Sequence, residues 1–203
     1  GLRPGDVCAI AMENRPQFFF SWFGLVKLGV GVAFINTQVN GKPLVHALQT
    51  TEAKAVVVGE ECLDNLLSTE GLPDVPWWLI EDPENPHDRV LPACVDQSFS
   101  EQIARAADTA FAREVRSAIT AESTTLLIFT SGTTGLPKAA RYSHMRWMSS
   151  GDVMEVTMGA TAQDVFYCCL PLYHGAAATS VTSTALRVGA SIVVRRKFSV
   201  REF

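Results

Sequence analysis

Residues 7–58 read VCAIAMENRPQFFFSWFGLVKLGVGVAFINTQVNGKPLVHALQTTEAKAVVV. Val7–Ala11 is a short continuous apolar run that suits a buried strand. Asn14-Arg15-Pro16 then opens a helix, with proline near the first helical position and polar residues ahead of it. Along Gln17–Leu28 the positions Phe18, Trp22, Leu25 and Gly29 recur at helical spacing, and Phe19, Phe23 and Val26 form a second apolar row. Both rows predict burial, and an aromatic stripe of this kind is core material before it is a ligand box. Gly29 and Gly31 end the helix, and Val30–Ile35 returns as a strand that stops at Asn36-Thr37. A second helix over Lys42–Thr50 leads into Ala55–Val58, too uniformly apolar for a solvent-facing sheet. Strand, helix, strand, helix, strand at this pace predicts an α/β fold with mainly parallel sheets flanked by helices.

Composition agrees with a folded domain. Of 203 residues, 47% are hydrophobic and 19% charged, which excludes a disordered chain. A net charge of −4 offers no basic stripe, so no nucleic-acid partner is expected. The cluster Arg195-Arg196-Lys197 is too short to change that and reads as a solvated strand end. Five cysteines, Cys8, Cys62, Cys94, Cys168 and Cys169, form no C-x-x-C pair. They predict a reduced, intracellular setting with the thiols acting as small core residues. The histidines lack ligand spacing, so no protein metal site is expected. No apolar run reaches the roughly 18 residues of a membrane-crossing helix.

The chemistry concentrates in Thr124–Lys138, TTLLIFTSGTTGLPK. Leu126–Phe129 suits a buried strand, whereas Thr130-Ser131-Gly132-Thr133-Thr134-Gly135 packs four hydroxyls and two glycines into six residues. Leu136, Pro137 and Lys138 follow. Glycine permits close backbone approach to a ligand, hydroxyls donate to oxyanions, and lysine is a compact positive charge. These are the parts of a phosphate-cradling loop. A plain Ser/Thr/Gly turn needs neither the strand before it nor the Pro-Lys after it. A P-loop places lysine directly after the last glycine and a hydroxyl after the lysine; here Leu136-Pro137 intervenes and Ala139 follows.

The pattern aromatic-T-S-G-[ST]-T-G-x-P-K, matched throughout Phe129–Lys138, resembles the signature loop of the adenylate-forming (AMP-binding) superfamily. The earlier runs M-E-N-R-P-Q-F (12–18), K-L-G (27–29), A-F-I-N-T (33–37) and G-K-P-L-V-H (41–46) narrow the resemblance. They are similar to the very-long-chain acyl-CoA synthetase and fatty-acid transport protein family, as is R-R-K-F-S at 195–199. Pro171-Leu172-Tyr173-His174-Gly175, after an apolar strand at Val165–Leu170, resembles the superfamily's second core motif, where the aromatic-histidine pair borders the acyl pocket and the adenylate. A histidine satisfied at a strand-helix corner is the plainer reading of His174.

The resemblance implies that residues 1–203 are an incomplete part of the large N-terminal domain of an adenylate-forming enzyme, with a C-terminal domain elsewhere. It implies ATP-dependent activation of a long- or very-long-chain fatty acid to acyl-AMP and then acyl-CoA. ATP, Mg2+ and coenzyme A would take part, at endoplasmic reticulum or peroxisomal membranes. Thr130, Ser131, Gly132, Thr133, Thr134, Gly135, Leu136, Pro137 and Lys138 would hold the phosphates, with Lys138 and His174 as the candidate catalytic residues. Two other readings stay open: a non-catalytic nucleotide- or acyl-binding module, and an adenylation enzyme for amino or aryl acids.

Elsewhere, residues 60–96 read as an irregular, proline-rich surface excursion with a strand only at Trp77–Ile80 and a solvated His87. Phe99–Ile119 is helical in composition, with Ser98 or Ser100 as caps. Ala139–Tyr142 predicts a strand, and Ser143 caps a helix through Met154. His144, in its first turn, is balanced between packing and support of the site. Small residues at 176–184 suit a closely packed helix, and Gly189–Val194 closes with a strand. The segment alone is expected to be poorly soluble or molten, its sheets lacking partner strands.

Overall fold

A computed structural model describes residues 1–82, 84, 90–96, 99–130 and 136–201. Seven strands, β1 (Val7–Ala11), β2 (Gly31–Phe34), β3 (Ala55–Gly59), β4 (Trp77–Ile80), β5 (Val95–Asp96), β6 (Thr124–Thr130) and β7 (Lys138–Ser143), form one sheet in the order β5-β4-β3-β1-β2-β6-β7. Every pairing is parallel except β6 with β7, which the short loop between them forces to be antiparallel. A second, smaller sheet pairs β8 (Val165–Cys168) and β9 (Ser191–Val194) in parallel.

Side chains alternate across a strand, and both faces of the large sheet are covered. Cys8, Ile10, Val32 and Phe34 face Phe18 and Trp22 of helix α1 (Pro16–Lys27), and the corner after β8 adds Leu172 to the same core. Ala9, Ala11, Val56 and Val58 face the other way, onto helices α2 (Gly41–Thr50) and α3 (Glu60–Leu67), which supply Leu44, Leu48, Leu63 and Leu66. Each fully buried side chain of this size contributes about 1.5–3 kcal/mol. The expected aromatic stripe is therefore core: Trp22 meets Phe34 edge-on at 5.0 Å and Trp147 at 5.6 Å.

Trp147 belongs to helix α5 (His144–Met158), which Ser143 caps by accepting from the Arg146 amide and Gly159 ends in a left-handed turn. A π-helical turn, Ala176–Val181, runs into helix α6 (Thr182–Val188). Its small residues permit close packing, and the Trp147 indole donates to the Ala178 carbonyl at 2.8 Å.

Several predictions differ from the structure, among them the strand β5 at Val95–Asp96, within the stretch expected to have a strand only at Trp77–Ile80. Residues 60–67 form a helix rather than an irregular excursion, because Cys62, Leu63 and Leu66 make a short apolar face over the sheet. Of the helix expected over Phe99–Ile119, α4 (Phe99–Arg105) and a 3-10 turn at Arg113–Arg116 form; the intervening residues are exposed and have no face to bury. Ser98 and His87 lie outside the described residues, and the Ser100 hydroxyl bonds the Leu79 carbonyl at 3.5 Å.

Candidate functional site at the carboxyl edge of the large sheet

In an open parallel sheet, ligands gather where the strands end at their carboxyl termini. Phe34 lies opposite Ile128, so the parallel pair β2 and β6 delivers Asn36-Thr37 and Thr130 to that same edge. β7 then returns antiparallel, with Lys138 opposite Thr130. The Thr130 hydroxyl reaches the Lys138 carbonyl at 3.4 Å and closes the loop between them. Ser131, Gly132, Thr133, Thr134 and Gly135 lie outside the described residues. Leu136 is exposed and Pro137 half-buried. The Pro137 carbonyl lies 3.1 Å from His46 Nε2 on α2, and because a carbonyl only accepts, that nitrogen carries the proton. His46, which sequence reasoning did not single out, thus ties the loop to α2. Lys138 is exposed, and its ammonium has no ion-pair partner among the described residues, which leaves its charge free for an anion.

The second expected constellation lies at the corner after β8. Leu172 is fully buried, Tyr173 half-buried and His174 exposed. Burial pushes the Tyr173 phenol above its usual range, hydrogen bonding from Thr37 opposes the shift, and the charge of Glu13 adds to it. His174 Nδ1 accepts from the Ala176 amide at 3.4 Å, so the neutral ring carries its proton on Nε2. That contact fits the plainer reading, a histidine satisfied at a strand-helix corner. Among the described residues no hydrogen bond joins His174 to Lys138.

His144 is placed elsewhere. Its amide bonds the Ser123 carbonyl at 3.1 Å, at the amino end of β6, whereas Thr130 ends the same strand about 20 Å away by strand rise. Partial burial lowers its pKa.

The order of strands reverses between β1 and β3, and side chains of the chain itself fill that crevice. Arg15, 4% exposed, pairs with Glu61 at 3.1 Å and donates to the Ile80 and Glu81 carbonyls at 2.9 and 2.7 Å. The Glu13 amide donates to Glu61 at 2.7 Å. Asn14 does not cap α1; its side chain reaches the small sheet. Arg196, expected in solvent, forms a bidentate pair with buried Asp82 at 2.7 and 2.5 Å. Among the described residues no cluster of three metal-ligating side chains occurs.

Comparison with known proteins completes the description. At 38% identity the chain is similar to mouse (Mus musculus) long-chain fatty acid transport protein 6, covering all of this chain and 32% of the mouse protein. The chain thus spans about a third of the curated relatives it matches. Its fold is similar to that of the Mycobacterium tuberculosis fatty acyl CoA synthetase, at TM-score 0.76, 22% identity and coverage of 98% of this chain and 36% of that one. It is also similar to the O-succinylbenzoate coenzyme A synthetase of Bacillus subtilis, solved with AMP, at TM-score 0.74, 21% identity and coverage of 99% and 46%. The model of the AMP-binding enzyme family matches residues 1–203, and the chain belongs to that family.

Proposed function

We propose that the parent protein is an AMP-forming fatty acid–CoA ligase and that residues 1–203 are an incomplete part of its N-terminal adenylation domain. A carboxylate does not acylate a thiol at neutral pH, because its leaving group would be oxide or hydroxide. In the proposed reaction the carboxylate attacks the α-phosphate of ATP, pyrophosphate leaves with the electrons of the cleaved P–O bond, and acyl-AMP forms. The coenzyme A thiol then attacks the acyl carbon, AMP departs, and the thiol proton passes to solvent. The nucleophile belongs to the substrate, so the protein's work is positioning and charge stabilisation.

One observation carries this reading: Thr130 and Lys138, whose ammonium has no ion-pair partner among the described residues, face each other across β6 and β7 at the carboxyl edge of a parallel sheet, at the two ends of a Ser/Thr/Gly-rich sequence. Thr130–Lys138 would hold the β- and γ-phosphates and then pyrophosphate, and the Nε2 proton of His174 would face the acyl-adenylate. Mg2+ would enter on the nucleotide's phosphates. Hydroxyls and one cation suit phosphate oxygens, not a metal. A long-chain acid as substrate is supported by the names of the relatives, and work at an intracellular membrane of the endoplasmic reticulum or peroxisome extends the same proposal. Among the described residues no helix is long and apolar enough to cross a membrane.

Removing a charged hydrogen bond costs about 1.5–3 kcal/mol, roughly ten- to a hundredfold in rate. Lys138→Ala in the full-length parent should slow fatty-acid-dependent ATP–pyrophosphate exchange by that factor. Unchanged exchange overturns the role of Lys138. A wild-type parent that binds nucleotide but exchanges with no acid is a binding module instead, and one that exchanges only with amino or aryl acids has the wrong substrate assigned.

A further inference from the structure

We infer that Asn14 is a positioning residue: its carboxamide sets where the Tyr173-His174 corner stands relative to the carboxyl edge of the large sheet. The inference rests on the ligase reading above and adds a residue that acts through backbone alone. Asn14 follows β1 at the carboxyl edge and is 5% exposed. Its Nδ2 donates to the Leu170 carbonyl at 2.8 Å and the Arg195 carbonyl at 3.1 Å, while its Oδ1 accepts from the Leu172 amide at 2.7 Å.

One planar group thus grips the chain on both sides of Pro171 and, with its second N–H, the exit of β9. Leu172 is fully buried and stands two residues before His174. The partners require this side chain and no other. An amide offers two donors and an acceptor in one plane, and the Leu172 N–H can only donate, which fixes the orientation of the amide. Aspartate has the same shape but would aim acceptor oxygen at two carbonyls. Alanine would remove all three bonds, the buried one to the Leu172 N–H among them.

The large sheet carries Thr130 and Lys138, the small sheet carries the corner, and Asn14 is one of the links between them, beside the burial of Leu172. Tyr173 and His174 directly follow Leu172 in the chain, so a shift of the Leu172 amide moves both. Displacement of a reacting group by about 1 Å can cost on the order of a hundredfold.

The test uses the full-length parent with Asn14→Asp and Asn14→Ala. Fatty-acid-dependent ATP–pyrophosphate exchange is resolved into kcat and KM for ATP, and amide hydrogen exchange is followed by peptide. The expected result is a kcat lower by about ten- to a hundredfold, with KM for ATP within about twofold. Exchange should quicken in residues 168–176 while β1, β2 and β3 stay protected. Faster exchange at 168–176 with kcat unchanged makes the amide merely structural and overturns the inference, as does no change in either. Loss of protection across the large sheet in both variants assigns Asn14 to folding and also overturns it. An inactive wild type overturns the ligase reading and this one together, whereas an active wild type with unaffected variants overturns this one alone.

Discussion

The five cysteines, alike in sequence, are three different chemical groups in the fold. Cys8, Cys62 and Cys168 are buried, Cys169 is half-buried and Cys94 is exposed. Burial pushes the Cys8 thiol up to about 12 and, helped by the charge of Cys169, the Cys168 thiol up to about 11. Burial also raises Cys62, with Glu61 adding to the shift. Thiolate is the reactive form, so at pH 8 iodoacetamide should alkylate Cys94 first, Cys169 more slowly and the other three only on unfolding. Peptide mass mapping over time reads the order directly, and early labelling of Cys8 or Cys62 would sink the assignment. Stability follows with a definite sign. The folded values lie above the ordinary thiol value of 9.0, so the unfolded chain ionises first. Stability from these thiols is intact below about pH 9 and is lost as pH rises toward 11 and 12, by about 1.4 kcal/mol per pH unit for each thiol at most. Cys8→Ala should make the alkaline decline in urea-denaturation midpoint shallower.

Two helical glycines make opposite predictions at the scale of the element. On α1, a Cβ at Gly24 meets nothing within 4 Å, so Gly24→Ala should gain about 0.5–1 kcal/mol of helix propensity. On α5, a Cβ at Gly151 would stand 2.8 Å from the Ser183 carbonyl oxygen. Overpacking of about 1–3 kcal/mol exceeds the same propensity gain, and Gly151→Ala should lower the melting temperature that Gly24→Ala raises. A melting point raised by both would refute the close α5–α6 contact. Legibility from sequence divides along the same physical line. β1, α1, β2, α2 and β3 were readable because each buries a continuous apolar run or stripe. Helix α3 was not, since eight residues opening with Glu60-Glu61 carry too short a face to set a period. Residues 106–119 misled in the other direction: alanine and arginine favour helix locally, but helix in a protein needs a face to bury.

For the whole molecule, motifs local in sequence were legible and contacts between distant parts were not. Thr130–Lys138 and the Tyr173-His174 corner declare themselves by composition, whereas the partners of Asn14, Arg196 and His46 lie 156, 114 and 91 residues away. Those long-range contacts decide how the two sheets share one stability. The large sheet is covered on both faces by the two apolar clusters. The small sheet has two strands, with Val165 62% and Val193 44% exposed, and two strands alone are marginal in water. What fastens it is Leu172 in the core, the Asn14 amide and the pair of Arg196 with Asp82, which is 1% exposed. The expectation of a poorly soluble or molten segment is replaced here by a graded prediction. In residues 1–203 alone, amides of β1, β2, β3 and β6 should exchange slowest, and those of β8 and β9 at least about tenfold faster, a gap of about 1.4 kcal/mol in opening free energy. Arg196→Gln should widen the gap by quickening β9 while leaving β1 and β3 unchanged. One uniform rate across both sheets, or no slow amides in the large sheet, would show that the two do not unfold in this order.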